Sequence, residues 1–147
     1  MNEARQLCTF LVDGLFYGID VVKVQEVIRY QEMTRVPLAP PDIFGLINLR
    51  GQIVTAIDTR KRLGLGAARR ADALPMNVVL RTDDGGASLL VDEIGDVIEV
   101  SGMTSDVVPE TVPVQARAVL RGVYKLDGKL LLELDTEKLF ARSAAAA

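Results

Sequence analysis

The chain reads as short apolar runs that break at a glycine and then resume, four times over. Cys8–Val12 and Leu15–Ile19 flank Asp13-Gly14, and Leu46–Leu49 and Gln52–Ile57 flank Arg50-Gly51. Val78–Thr82 and Ala87–Val91 flank Asp83-Asp84-Gly85-Gly86, and Leu120–Leu126 and Lys129–Leu134 flank Asp127-Gly128. Tight hairpins need positive φ in the turn, which glycine supplies, and the flanking residues are β-branched or apolar. Short strands with evenly spaced turns predict a sandwich or barrel. Leu130-Leu131-Leu132 is apolar on both faces of its strand, as a strand is when one face fills a barrel and the other meets a second one. Val54 and Ala56, opposite Ile53 and Ile57, repeat that pattern.

The second and fourth hairpins are related. Residues 45–61 lie over 122–138 without a gap, and six of the 17 positions are identical, always 77 apart. These are Gly45/Gly122, Leu49/Leu126, Gly51/Gly128, Asp58/Asp135, Thr59/Thr136 and Lys61/Lys138. The first and third hairpins correspond too, and each is followed by a similar element, Val24–Ile28 and Ile94–Ile98. The pattern is an internal duplication: a first copy over about 8–65, a linker over 66–75, a second copy over 76–140 and a tail over 141–147. Each copy is small for an independent core, so two small barrels packed as one domain are expected. Asp20 is placed to cap a short helical turn carrying Val21, Val24 and Ile28, and Asp58 and Asp135 to cap Arg60–Leu63 and Glu137–Phe140. Ser101–Ala116, with Pro109 and Pro113, reads as a long loop.

Composition narrows the chemistry. The 147 residues contain no histidine, no tryptophan and one cysteine. That excludes Ser-His-Asp triads, Cys-His pairs, histidine metal ligation and intrachain disulfides. Cys8 sits in an apolar strand pattern and is expected in the core. No apolar run is long enough to cross a bilayer, and the first residues resemble no signal peptide, so the cytoplasm is the expected compartment. Net charge is −3 and the pI near 5.0, the wrong sign for a dedicated nucleic-acid binder. The basic cluster Arg60-Lys61-Arg62 with Arg69-Arg70 nonetheless keeps a second reading open, a small barrel binding nucleic acid through an arginine-rich linker. Asp83–Gly86 lacks the alternating ligands of a calcium loop and reads as a turn. No catalytic, cofactor-binding or metal-binding residues are assigned, and an enzyme built on carboxylates, lysine and tyrosine has no motif behind it. What remains is surface. The hairpin tips Arg50 and Asp127 carry opposite charges at equivalent positions, giving a double barrel two unlike ends.

Tyr17-Gly-Ile-Asp20, Val24-Gln-Glu-Val27, Thr34-Arg-Val-Pro37 and Gly45-Leu-Ile-Asn-Leu-Arg-Gly51 followed by Ile57-Asp58 resemble blocks of the CheW family of bacterial chemotaxis coupling proteins. Val91–Val97 and Leu134–Leu139 continue the resemblance, which runs from about Leu7 to Phe140. It implies an all-β fold: two intertwined five-stranded SH3-like barrels with a few short helices, leaving room for terminal segments to exchange between barrels. It implies a non-catalytic adaptor without cofactors, monomeric in isolation, in rings with the regulatory domain of the histidine kinase CheA beneath methyl-accepting chemoreceptors. It places the receptor tip in a groove between barrels, on Val24, Glu26, Gly45, Arg50 and Val97. Val24 and Val97 would form an apolar floor, and Glu26 and Arg50 would fix the register of a receptor helix. The alternative for Glu26 and Arg50 is an intramolecular ion pair. Thr55 stands where the family usually has proline and Thr59 where it has leucine, which leaves open a principal motility pathway or an auxiliary chemosensory system. The longer adaptor type that carries a receiver domain is not expected here. A free-standing copy of a kinase regulatory domain is the related possibility, and the Asn-Leu-Arg-Gly block favours the adaptor.

Overall fold

The structure is a computed structural model that describes residues 5–65, 74–82 and 85–140. Most of the linker, the Asp83-Asp84 turn and the 141–147 tail lie outside the described residues, and so do Arg69 and Arg70.

Ten strands run in chain order among the described residues. They are β1 (Gln6–Val12), β2 (Leu15–Asp20), β3 (Val24–Ile28), β4 (Ile43–Leu49), β5 (Gln52–Asp58), β6 (Met76–Thr82), β7 (Gly85–Val91), β8 (Glu93–Glu99), β9 (Leu120–Leu126) and β10 (Lys129–Leu134). All four sequence-read hairpins form, each as an antiparallel pair of consecutive strands. The turn glycines Gly14, Gly51 and Gly128 have φ of 76°, 84° and 79°.

The strands assemble into two five-stranded sheets, β8-β1-β2-β10-β9 and β3-β6-β7-β5-β4. Under the duplication, β1–β5 correspond to β6–β10, and the two orders become the same order. Each sheet contains one parallel pair, β2 with β10 and β5 with β7, and each has a bulge where its edge strand, β8 or β3, joins the sheet. Neither sheet is built from one copy. Each takes a hairpin from one half of the chain and three strands from the other, which is the intertwining.

The core follows this plan. The largest buried cluster draws on both sheets, joining Phe10, Tyr17 and Leu132 to Ile57, Leu80 and Leu89. Two smaller clusters each belong to one sheet: Ile47, Val54 and Ala56 in one, Leu7, Phe16 and Leu131 in the other. Leu131 and Leu132 thus fill different cores from opposite faces of β10, as the double-sided pattern predicts. On β5, Ala56 and Ile57 do the same, but Ile53, close to the hairpin tip, is 57% exposed. Cys8 is a free, buried thiol.

Short helical segments sit between strands. Asp20 caps a 3-10 turn, Val21–Lys23, by accepting from the Val22 N–H at 3.1 Å. The helix stops there. Val24 and Ile28, expected on the same helical face, instead lie on β3, whose β-branched side chains suit a strand paired with β6. Asp58 caps α1 (Thr59–Arg62) by accepting from the Lys61 N–H at 3.3 Å. Asp135 caps α3 (136–140) by accepting from the N–H groups of Glu137 and Lys138 at 3.0 and 3.2 Å. The long loop ends in a further helical turn, α2 (Val114–Arg117), that sequence reading missed.

The arginines of α1 are structural. Arg62 is buried, pairs through Nε with Asp42, and donates from Nη1 to the Leu139 carbonyl at 2.6 Å. Arg60 reaches Asp92 at 2.7 Å and Asp13 at 3.2 Å, tying α1 to the β1–β2 turn and the β7–β8 junction. Two of the arginines invoked for a nucleic-acid surface are therefore neutralised internally.

Candidate partner-binding site

Glu26 lies on β3, an edge of its sheet, and Arg50 lies at the tip of the β4–β5 hairpin, beside the other edge. Strands β3 and β4 are four places apart in the sheet, yet an Arg50 Nη2 to Glu26 Oε2 ion pair joins the middle of β3 to the tip of the β4–β5 hairpin. The pair draws the two edges of an open sheet toward closure. Arg50 holds the Glu26 carboxyl below the usual carboxylate range, helped by a Gln25 Nε2 donor at 3.4 Å. The Arg50 side chain remains 66% exposed, so most of its guanidinium faces solvent while one end is fixed. Glu26 and Arg50 thus form an intramolecular pair and a presented charge together. An exposed pair of this kind is screened by solvent and contributes little to folding.

Gly45 plays a different part from the other residues of the set. It is buried on β4, and a Cβ there would lie 2.8 Å from the Thr34 carbonyl oxygen. That close approach lets Thr34 bridge to Leu46, with backbone bonds of 2.9 and 2.8 Å. Val24, at the start of β3, is half-buried against the central cluster. Val97 is 52% exposed and sits on β8, the edge of the other sheet, opposite Cys8. Glu26 and Arg50 are brought into contact; Val97 is carried by the equivalent edge of the twin sheet.

The two sheets differ at this place. Under the duplication Glu26 and Arg50 correspond to Asp96 and Asp127, so the twin sheet has two carboxylates where this one has an ion pair. The unlike ends read from the hairpin tips are therefore unlike at both edge positions.

Comparison with known proteins follows this geometry. Residues 6–144 match the family described as CheW-like domain. The chain belongs to the CheW family. It is 31% identical to the chemotaxis protein CheW of Treponema pallidum, covering 95% of this chain and 84% of that one. It is also 31% identical to the chemotaxis protein CheW of Bacillus subtilis, covering 99% and 92%. The solved structure of the scaffolding protein TtCheW from Thermoanaerobacter tengcongensis superposes with a TM-score of 0.80 at 28% identity, over 95% of this chain and 90% of that chain. A CheW-like chain of this fold is a chemotaxis coupling adaptor, and the comparisons give the nucleic-acid alternative no support.

Sequence reading missed one charged cluster on the other sheet. Glu133 on β10 is buried, pairs with Arg5 Nη2, and accepts from the Tyr124 hydroxyl at 3.0 Å. Its counterpart in the first copy is Ala56, so the duplication offered no hint of it.

Proposed function

We propose that this CheW-like chain joins the cytoplasmic tip of methyl-accepting chemoreceptors to the regulatory domain of the histidine kinase CheA, and that it does so by binding alone, without catalysis. Val24, Glu26, Gly45, Arg50 and Val97 serve the receptor side. The exposed Arg50 guanidinium, anchored at one end by Glu26, is the observation that supports this most. An oriented, incompletely satisfied arginine offers charge-assisted bonds to a carboxylate or carbonyl on a partner helix with little ordering cost. Val24 and Val97 supply apolar contact, and Gly45 acts from behind by allowing the Thr34 segment to close on β4. The working unit is the whole chain, both copies together. No helix among the described residues is long and apolar enough to cross a membrane, so placement at receptor arrays is by docking.

Co-sedimentation with receptor-containing membranes, with and without CheA, tests the reading. The chain is expected to sediment with receptors and to increase the CheA in the pellet, and Arg50→Ala is expected to lose both. Full receptor coupling by Arg50→Ala removes the site, and failure of the parent chain to sediment removes the partner.

A further inference from the structure

Arg50 occupies a backbone conformation that suits it poorly. Leu49 pairs with Gln52, leaving Arg50-Gly51 as a two-residue turn with φ of 52° and 84°. Positive φ at both positions is type I′ geometry, which favours Asn, Asp or Gly at the first. A side chain such as arginine is disfavoured there, because its Cβ crowds the backbone carbonyl.

The other hairpins show what such a turn requires. In the β1–β2 turn Asp13 has φ 54°, and its N–H is held by Asp92 Oδ2 at 2.8 Å. In the β9–β10 turn Gly128 has positive φ but Asp127 does not. In the β4–β5 turn the Asn48 side-chain oxygen accepts from the Gly51 N–H at 3.0 Å. The counterpart of Asn48 in the second copy is Lys125, which has no acceptor to offer. A left-handed first residue thus occurs in the two turns with a carboxylate or carboxamide acceptor on a turn N–H, and is absent where a lysine replaces it.

We infer that Asn48 is the positioning residue of the receptor-facing site: its carboxamide oxygen locks the Arg50-Gly51 turn in the left-handed form and so aims the Arg50 guanidinium at Glu26 and the partner. Asn48 is exposed, two residues before Arg50, and packs no core. The inference about binding rests on the proposed receptor reading; the inference about the turn does not.

Three full-length variants separate the two: Asn48→Ala, Asn48→Asp and Arg50→Ala. Each is read by Gly51 amide hydrogen exchange, by NMR titration of the Glu26 carboxyl, and by binding to a soluble chemoreceptor-tip fragment. Asn48→Ala is expected to speed Gly51 exchange, to raise the Glu26 midpoint to that of Arg50→Ala, and to weaken binding about tenfold. Asn48→Asp keeps the acceptor, so it should retain slow Gly51 exchange and tip-fragment binding. A Glu26 midpoint unchanged by Asn48→Ala overturns the positioning role, and so does Asn48→Asp behaving like Asn48→Ala. Normal binding by Arg50→Ala overturns the receptor reading instead, and positioning is then decided by the exchange and titration alone.

Discussion

Arg50 and Arg62 are both paired arginines, and their surroundings give them opposite importance for folding. Arg50 is mostly exposed, so Arg50→Ala should change stability by about 0.5 kcal/mol or less, measured by denaturant unfolding. Arg62 is 3% exposed and holds both Asp42 and the Leu139 carbonyl. Removing it strands a carboxylate and a buried carbonyl, so Arg62→Met should cost about 3 kcal/mol in the same measurement. Two buried hydroxyls point the other way. Tyr17 Oη and Thr59 Oγ1 have no hydrogen-bond partner among the described residues, and burial, with the Asp13 carboxylate adding to it, pushes the Tyr17 phenol far up. Tyr17→Phe and Thr59→Val keep shape and remove an unsatisfied group, so each should stabilise by about 1 kcal/mol. A loss of stability in either would show that the hydroxyl is satisfied in solution. Thr59 is also the position where leucine is usual in the family, so this buried hydroxyl is a departure in the core, not on the surface.

At the scale of elements, the Arg50–Glu26 pair links the two edges of one sheet, and among the described residues no ion pair joins Asp96 or Asp127 at the corresponding positions of the other. Glu26 has its carboxyl held low, so its contribution is present above the ordinary carboxylate range and is lost as pH falls through its depressed value. Acidification should therefore loosen contact between β3 and the β4–β5 tip, seen as lower amide protection factors in β3 once the slower intrinsic exchange in acid is divided out. Arg50→Ala, lacking the pair, should show that lower protection already at neutral pH and little further change on acidification. An identical pH response in both proteins would mean that the pair does not hold the edges together. The helical caps were readable one by one, because a capping aspartate is a local device: Asp20, Asp58 and Asp135 each do what their positions imply. The extent of the first helical turn was misread, because Val24 and Ile28 satisfy a helical spacing as well as a strand and only the partner β6 decides between them.

At the scale of the whole molecule, no half of the chain owns a core. The central cluster joins Phe10 and Tyr17 of the first copy to Val78, Leu80 and Leu89 of the second, and each sheet needs strands from both. Residues 1–70 expressed alone should therefore show no cooperative unfolding transition, and mixing with 71–147 should restore one. A cooperative melt of the isolated fragment comparable to that of the full chain would contradict this. The same exchange means that Glu26 and Val97 lie on edge strands contributed by different copies, so a change in how the two sheets pack would be felt at both.

The hairpins, their turns and the all-β class follow from the sequence alone, because each rests on near neighbours in the chain: an apolar run, a glycine, a capping aspartate; the duplication is read from blocks repeated 77 residues apart. The family follows from the order of those blocks. Tertiary structure alone decided which copy's strands share a sheet, since antiparallel hairpins of one composition can pair across the duplication as well as within it. It alone showed that Arg60 and Arg62 are held by carboxylates distant in the chain, that Gly45 matters through the Thr34 backbone, and that Arg50 and Glu26, 24 residues apart, meet. The reason is common to all of these: charge and close approach act through space, and the sequence supplies the groups without saying which will be neighbours until the two sheets have closed around their shared core.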